Sequence, residues 1–256
     1  METLYVMVPV FNEAPNIVTL FGAFRQLEGE LAGRFSLRYL LVDDGSGDGT
    51  ADLAKSEAAG LELTVLRHES NRGPGAAFAT GFSYLAGRLR DGDWVITMEG
   101  DNTSRRELIK QMLVRAGEGF DVVLASPYMY GGGFSQTSFL RKLLSSGANL
   151  VVKDLLDIQG ILTVSSFFRL YRGATLLRLQ HAFGPGIVER RGFESMVEMI
   201  MKMAMLRVAI SEVAMQLDSS LRKGKSKMKI VRTILGYLAL WRCKATWLRQ
   251  SEGGGA

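Results

Sequence analysis

The sequence predicts an open, mostly parallel α/β sheet flanked by helices, with an amphipathic helix near its C-terminal end. Three observations predict it. Short apolar runs alternate with helical patterns, and each run stops abruptly in acids, asparagine or glycine. The most pronounced stop, Trp94-Val95-Ile96-Thr97-Met98-Glu99-Gly100-Asp101-Asn102, places two carboxylates astride a glycine. Buried parallel strands read as continuous apolar runs, and chemistry in open α/β sheets collects at the carboxyl ends of the strands.

Taken in order, Leu4 to Val10 is the first expected strand, ending in Pro9-Val10-Phe11-Asn12-Glu13, and Ala14-Pro15-Asn16 opens a helix to about Gln26. Leu37 to Val42 is the second, ending in Asp43-Asp44-Gly45-Ser46-Gly47-Asp48-Gly49-Thr50 before a helix from Ala51 to Ala59. A capping role for Asp48 or Thr50 explains the cap residue but not two adjacent acids at the strand tip. Leu61 to Leu66 is the third, followed by Asn71-Arg72-Gly73-Pro74-Gly75-Ala76-Ala77-Phe78 and a helix to about Leu89. These glycines fall short of a G-x-G-x-x-G fingerprint, so Gly75, Ala76 and Ala77 are read as keeping the helix start slim against a neighbour or ligand. Arg72 either meets a phosphate or stands alone on the surface. The Trp94 strand leads to a helix from Ser104 to Ala116; Asp121 to Ser126 is the fifth strand, followed by Tyr128 to Phe134 and a helix carrying Arg141 and Lys142.

Glu99 and Asp101 suit a divalent ion that also carries diphosphate oxygens, the alternative being a solvated loop whose acids cap the next helix. The 256 residues are 47% hydrophobic and 22% charged, ordinary for a globular chain. A single cysteine, Cys243, excludes an internal disulfide framework and points to a reducing compartment. Two histidines, His68 and His181, are too few for a His-rich metal site. The net charge of +5, concentrated after Leu221, suits phosphate-bearing ligands or an acidic membrane surface. No signal-peptide pattern opens the chain and no uncharged apolar stretch is long enough to span a bilayer, so the protein is not expected to cross one.

In the C-terminal third, Arg191 to Leu206 is expected as a helix with Phe193, Val197, Ile200 and Ala204 on one stripe; its five methionines are read as core filling. Glu194 is either an acid near an acceptor or a solvated or capping residue. Arg207 to Leu217 alternates as a strand with Ile210, Val213 and Met215 inward. Leu221-Arg222-Lys223-Gly224-Lys225-Ser226-Lys227 reads as a basic loop able to fold over a diphosphate. The following helix carries Ile230, Ile234, Tyr237, Trp241, Ala245 and Leu248 on one side, with Arg232, Arg242 and Arg249 off it. With Trp241 and Trp247 it fits either an interfacial membrane anchor or a helix packed on the domain or on another subunit.

Several of these stretches, in order and spacing, resemble one family. Pro9-Val10-Phe11-Asn12-Glu13, Val42-Asp43-Asp44-Gly45-Ser46 with Asp48-Gly49-Thr50, Asn71-Arg72-Gly73 and Glu99-Gly100-Asp101 look like the nucleotide-sugar half of family 2 glycosyltransferases with the GT-A fold. Tyr128 with Gly131-Gly132-Gly133, Phe168-Arg169-Leu170-Tyr171-Arg172 and Gly224-Lys225-Ser226-Lys227 resemble the polyprenyl-phosphate sugar transferases of the dolichyl-phosphate mannose synthase type. The resemblance divides the chain into a catalytic domain over 1–218, with a nucleotide-sugar half of about 1–130 and an acceptor half of about 131–218, then a basic loop and amphipathic helix over 219–250 and a tail over 251–256. It implies that Pro9, Phe11 and Glu13 line the base and ribose pocket, with Asp43 or Asp44 on the base edge or ribose and Arg72 and Gly100 beside the nucleotide sugar. It places Glu99 and Asp101 as ligands of Mg²⁺ or Mn²⁺ on the diphosphate, and Arg222 and Lys227 in a basic segment over the phosphates. Asp101, Arg169 and Arg222 are then the expected catalytic residues.

The chain departs from the family pattern at four places: Glu99 is one methylene longer than the usual aspartate, Phe11 lacks a tyrosine hydroxyl, Pro127 replaces an arginine, and Thr163-Val164 stand where an aspartate is usual. An alcohol acceptor needs a base as it attacks, whereas a phosphate monoester, with a second pKa of about 6, is already anionic. Loss of the acid therefore favours a lipid phosphate, positioned by cations such as Arg169, Arg172, Arg141 and Lys142. The expectation is an inverting hexose transfer to polyprenyl phosphate at the cytoplasmic face of a membrane, with peripheral membrane contact and a possible homo-oligomer. The rivals are an alcohol acceptor served by Asp157 or Glu194, and a sugar-nucleotide-binding protein without turnover. No reading helix or aromatic RNA platform supports a nucleic-acid partner.

Overall fold

The computed structural model describes residues 1–135, 153–154, 158–184, 187–221 and 230–253. In chain order these form β1 (Glu2–Val10), α1 (Ala14–Leu31), β2 (Phe35–Asp43), α2 (Thr50–Glu57), β3 (Leu63–Arg67), α3 (Pro74–Ala86), β4 (Trp94–Thr97), α4 (Glu107–Gly117), β5 (Val122–Ser126), β6 (Gly133–Ser135), β7 (Arg169–Arg172), α5 (Gly173–Phe183), α6 (Ser195–Met205), β8 (Ile210–Ala214), β9 (Gln216–Asp218) and α7 (Ile230–Gly253). Seven strands make one sheet in the order β3-β2-β1-β4-β7-β5-β8, and β6 pairs with β9 in a second.

The five strands expected from the apolar runs are present, and all pairings among β1 to β4 are parallel. Alternation along each strand feeds two cores. Val6, Val8, Leu41, Ile96 and Val123 face one layer with α1 and α4; Met7, Leu40, Val42, Val95 and Leu124 face the other with α3, α5 and α6. Both faces are therefore covered, which is why the runs are apolar throughout.

The structure adds an unexpected element. Arg169 to Arg172, part of the segment noted above only for its family resemblance, runs antiparallel between β4 and β5 as β7, with Ile96 opposite Leu170 and Leu124 opposite Arg169. In the expected strand from Arg207 to Leu217 the pairing changes: β8 extends the large sheet beside β5, whereas β9 turns off to meet β6. Helix α6 starts at Ser195, later than expected, and Ser195 to Met203 are all buried. Four of its methionines, Met196, Met199, Met201 and Met203, sit in the core, as the packing reading requires.

Helix α7 differs from its expected orientation. Its buried side is Tyr237, Leu240 and Trp247, packed with α5 and α6, while Trp241 (59% exposed) and Leu248 (46%) face outward beside Arg242 and Arg249. Trp247 is 1% exposed, so as an anchor in a membrane interface it is excluded; it is a core residue. No described helix is long and apolar enough to cross a membrane.

Candidate active site

The carboxyl ends of β1, β2 and β4 meet at one edge of the sheet, and the loops leaving them are tied by side chains to one another's backbones. After β1, Asn12 adopts a left-handed φ of 51° and its N–H donates to Ser46 Oγ at 2.8 Å, while Gly47 N–H donates back to Asn12 Oδ1 at 2.9 Å. Glu13 N–H donates to Thr50 Oγ1 at 2.9 Å, and Ala14 N–H to Asp48 Oδ2 at 3.0 Å. Asp48 also accepts from the Thr50 hydroxyl at 2.5 Å. Burial alone would raise the Asp48 pKa, but the Thr50 hydroxyl and the backbone N–H groups of Ala14 and Thr50 outweigh it and hold the carboxyl below its ordinary value. Asp48 and Thr50 thus brace two loops together, a wider role than capping α2. Pro9, Phe11 and Glu13 line the half-buried rim of this edge.

The two acids at the tip of β2 have different environments. Asp44 is saturated: its carboxylate meets His68 Nδ1 at 2.7 Å, Asn71 Nδ2 at 3.0 Å, Arg72 N at 2.9 Å and Gly73 N at 2.8 Å. It organises the loop from His68 to Gly73, and His68 passes the chain of hydrogen bonds on to Thr80 Oγ1 at 2.9 Å. Asp43 is fully buried; its Oδ1 accepts from Ser46 N–H at 3.0 Å, and its Oδ2, without a hydrogen-bond partner among the described residues, has Arg67 Nε 3.2 Å away as an ion pair. A buried carboxylate oxygen left this way is the better of the two for a ligand donor.

At β4 each expected metal ligand is oriented by a hydroxyl of its own loop. Thr103 donates both its hydroxyl (2.5 Å) and its N–H (3.2 Å) to Asp101 Oδ1, and Ser104 donates to the Glu99 carboxylate while accepting from Glu99 N–H at 3.0 Å. This is why α4 begins at Glu107 rather than Ser104: the hydroxyls serve the acids instead of a cap. Gly100 permits the approach, because a Cβ there would lie 2.7 Å from Val10 Cγ1. The donors are hard oxygens, and among the described residues no three His, Cys, Asp or Glu side chains gather as a metal site. That set fits an ion shared with a diphosphate better than one held by protein alone.

Arg169 is a correction. It is fully buried on β7, and its guanidinium donates to three backbone carbonyls, Ser166 at 2.6 Å, Val164 at 2.8 Å and Met196 at 3.0 Å. It holds the 164–166 turn against α6 and is not placed to meet an acceptor phosphate. Thr163, also buried, has its N–H and that of Leu162 bound by Glu212, at 2.9 and 2.7 Å. Glu212 was missed because nothing near it in sequence marks it as the partner of a loop 49 residues away. Arg72 is exposed, its backbone pinned to Asp44. Gly75 does keep the start of α3 slim: a Cβ there would lie 1.9 Å from the Arg190 carbonyl, and Gly75 N–H donates to Arg191 O at 2.8 Å. Glu194 is half-buried, accepting from Gly192 N–H at 3.2 Å and lying against Gly236 of α7. Burial, then the nearby Glu194 and Tyr128, push the Tyr237 hydroxyl up to about 12. Arg222, Lys227, Arg141, Lys142 and Asp157 lie outside the described residues.

A mostly parallel sheet with helices on both faces and acids at its central strand tips is the architecture of the GT-A transferases. The chain belongs to glycosyl transferase family 2, whose sequence profile matches residues 5–177, and it is a glycosyltransferase. Among curated relatives it is 27% identical over 243 residues to the undecaprenyl-phosphate mannosyltransferase of Micrococcus luteus, covering 94% of each chain. It is 29% identical over 176 residues to the polyprenol monophosphomannose synthase of Mycolicibacterium smegmatis, covering 68% of this chain and 63% of that one. Among solved structures, glucosyl-3-phosphoglycerate synthase from Mycobacterium tuberculosis, in complex with Mn²⁺, UDP and glucosyl-3-phosphoglycerate, superposes with a TM-score of 0.62 at 17% identity, over 98% of this chain and 80% of that one. Mannosyl-3-phosphoglycerate synthase from Rubrobacter xylanophilus gives a TM-score of 0.59 at 21% identity, over 98% and 75%. At these identities the structural likeness speaks for the fold.

Proposed function

We propose that the enzyme transfers a hexose, mannose first among the choices, from a nucleotide diphosphate sugar to a polyprenyl phosphate with inversion at C1. The observation that carries this reading is the match along 94% of both chains to a relative named for that lipid acceptor. The site is consistent with it. Thr163 stands where an alcohol acceptor would call for a base, and the nearby Glu212 is engaged by the backbone of the same loop.

In this reading a phosphate oxygen of the acceptor attacks C1 as the bond from C1 to the diphosphate oxygen breaks. Asp43 and the rim of Pro9, Phe11 and Glu13 hold base and ribose, with Gly100 and Arg72 beside the nucleotide sugar. Asp44 shapes the pocket indirectly by fixing the His68–Gly73 loop. Glu99 and Asp101 would hold Mg²⁺ or Mn²⁺, which offsets charge on the diphosphate. Arg222 and Lys227 supply further positive charge to the departing nucleotide. The enzyme works as a peripheral protein at the cytoplasmic face of a membrane, where its acceptor resides.

A second reading is favoured by one observation: Glu194 sets a carboxylate against Gly236 and close enough to Tyr237 to act on its hydroxyl, where it could serve as base for an alcohol acceptor. A radiolabel assay separates the two. Purified protein with Mn²⁺ or Mg²⁺ is offered GDP-mannose, UDP-glucose or UDP-N-acetylglucosamine, each with and without polyprenyl phosphate. Metal-dependent label in the lipid phase is the expected result. Label appearing only on alcohol acceptors, and lost in Glu194→Gln, would overturn the lipid assignment.

A further inference from the structure

Helix α7 carries two apolar rows, and packing on the domain uses one of them. Tyr237, Leu240 and Trp247 are buried against α5 and α6, with Cys243 half-buried on the same side. The second row, Trp241, Ala245 and Leu248, is exposed. A helix that packs only on its own domain needs one apolar stripe and turns a polar face to water. Val18 of α1 and Val114 of α4 are each the one exposed large hydrophobic residue of their helix, whereas Trp241 and Leu248 share a face. Single exposed apolar residues are ordinary; a row of them asks for a partner.

The cations of this face run in step with that row. Arg242 and Arg249 follow Trp241 and Leu248 by one position each, so an apolar row and a guanidinium row lie side by side over two turns, about 10 Å. Both arginines are exposed, and neither pairs with an acid among the described residues. After Leu221 the chain holds nine lysines and arginines and a single acid, Glu252. Tryptophan and leucine beside unpaired arginines match an anionic bilayer surface. The apolar side chains enter the boundary between headgroups and acyl chains, and the guanidinium groups stay with the lipid phosphates. A second copy of this chain is a poorer match, because an isologous contact sets the unpaired arginines of both copies into one interface.

We propose that the outward face of α7, through Trp241, Leu248, Arg242 and Arg249, docks the enzyme on a bilayer that contains anionic phospholipid. The inference deepens the lipid-acceptor reading and rests on it for the presence of a membrane. None of these four residues is among those given a role in binding nucleotide, metal or acceptor. Sedimentation with vesicles of phosphatidylcholine, alone or mixed with phosphatidylglycerol, measures docking without donor, metal or polyprenyl phosphate. Two double variants probe the face, Trp241→Ser with Leu248→Ser and Arg242→Gln with Arg249→Gln. Trp94 and Trp247 are buried, at 7% and 1% exposure, so quenching of tryptophan fluorescence by brominated phospholipid reports on Trp241, and Trp241→Phe is its control.

Wild type should bind the phosphatidylglycerol vesicles with its fluorescence quenched, and more weakly as salt is raised. The apolar double variant should bind about tenfold or more weakly, the scale of leaving two large side chains unburied. The arginine double variant should lose the preference for phosphatidylglycerol, and Trp241→Phe should keep the binding but lose the quenching. The proposal is overturned if wild type does not bind, if either double variant behaves as wild type, or if quenching persists in Trp241→Phe. A dimer in sedimentation velocity that the apolar double variant converts to monomer also overturns it, by seating a second copy on this face. Circular dichroism checks the fold of each variant, and the wild-type quenching stands without them. Transfer to farnesyl phosphate in vesicle-free solution, from GDP-mannose, UDP-glucose or UDP-N-acetylglucosamine, tests the acceptor reading alone. Vesicle binding with no such transfer removes that reading and leaves the docking face; transfer retained by both double variants, with no vesicle binding by wild type, removes the docking face.

Discussion

Two buried charged assemblies in this chain use the same residue types to opposite ends. At the strand tips, Asp43, Asp44 and Asp101 are buried carboxylates that accept from backbone N–H groups and hydroxyls, with Arg67 beside Asp43 and His68 beside Asp44. On the face of α6 that meets α7, Glu198 and Lys202, one turn apart, are both fully buried and pair directly, Nζ to Oε1, at 2.8 Å. Glu198 accepts as well from the N–H groups of Glu189 and Arg190, each at 2.9 Å, and Lys202 lies over the rings of Trp247 (4.7 Å) and Phe183 (5.1 Å). The first assembly gathers carboxylate oxygens at the tips of β2 and β4 and so suits a cation or a sugar hydroxyl. The second joins a helix, a loop and α7 through charges satisfied within the protein. The difference teaches that burial of a carboxylate is not itself a mark of function; what matters is whether the partners neutralise it.

That contrast can be broken from either side. Lys202→Met should be the more damaging to stability, since it strands Glu198 without its counter-ion in a dry interior. The expected cost is about 3–5 kcal/mol, read as a shift in urea midpoint at unchanged slope. Adding Glu198→Gln should recover part of it; a single variant as stable as wild type would show that this pair within α6 does not secure the buried face of the helix. Asp101→Asn should leave the urea midpoint nearly unchanged and reduce transfer about 100- to 1000-fold, the scale of losing one electrostatic group at the reacting centre. Full activity with metal present would remove Asp101 from the metal assignment.

The same contrast explains what could be read from the sequence. The β1 to β5 runs and their acidic endings were legible because each signal is local: an apolar run, a turn residue, an acid at the tip. Gly75 was legible for the same reason, as a small residue at a helix start. Arg169 was not, because its three carbonyl partners come from a turn and a helix that the local sequence does not bring together. In α7, a stripe through Trp241 and Leu248 and one through Leu240 and Trp247 both have helical spacing, and only the partners Glu189 and Lys202 decide between them. Those partners are 58 and 45 residues from Trp247, beyond the reach of a periodicity argument.

A smaller effect tests whether the strand-tip acids are aimed by their hydroxyls. Thr103→Val keeps the β-branched shape but removes the hydroxyl that holds Asp101 Oδ1 at 2.5 Å. Transfer should fall about tenfold, consistent with the loss of one hydrogen bond to a charged group, and a raised metal requirement should accompany it. A fall in turnover with no change in the metal concentration needed for half-maximal rate would assign Thr103 to the loop's shape rather than to the carboxylate's aim.

The smallest effect expected concerns Asp48, which braces the β1 and β2 loops from an exposed position. Its pKa is lowered because the Thr50 and Ala14 donors outweigh the opposing effect of burial. A carboxyl whose folded pKa is depressed contributes stability above its unfolded pKa, about 4, and that contribution is lost as pH falls through the folded value. Stability of the wild type should therefore decline more steeply below about pH 4 than that of Asp48→Asn, whose amide oxygen still accepts but carries no charge to lose. Urea midpoints measured at pH 7, 4 and 3 check this. Parallel curves for the two proteins would mean that Asp48 is protonated equally easily in both states, and that the brace between the loops rests on Ser46, Asn12 and Thr50 alone.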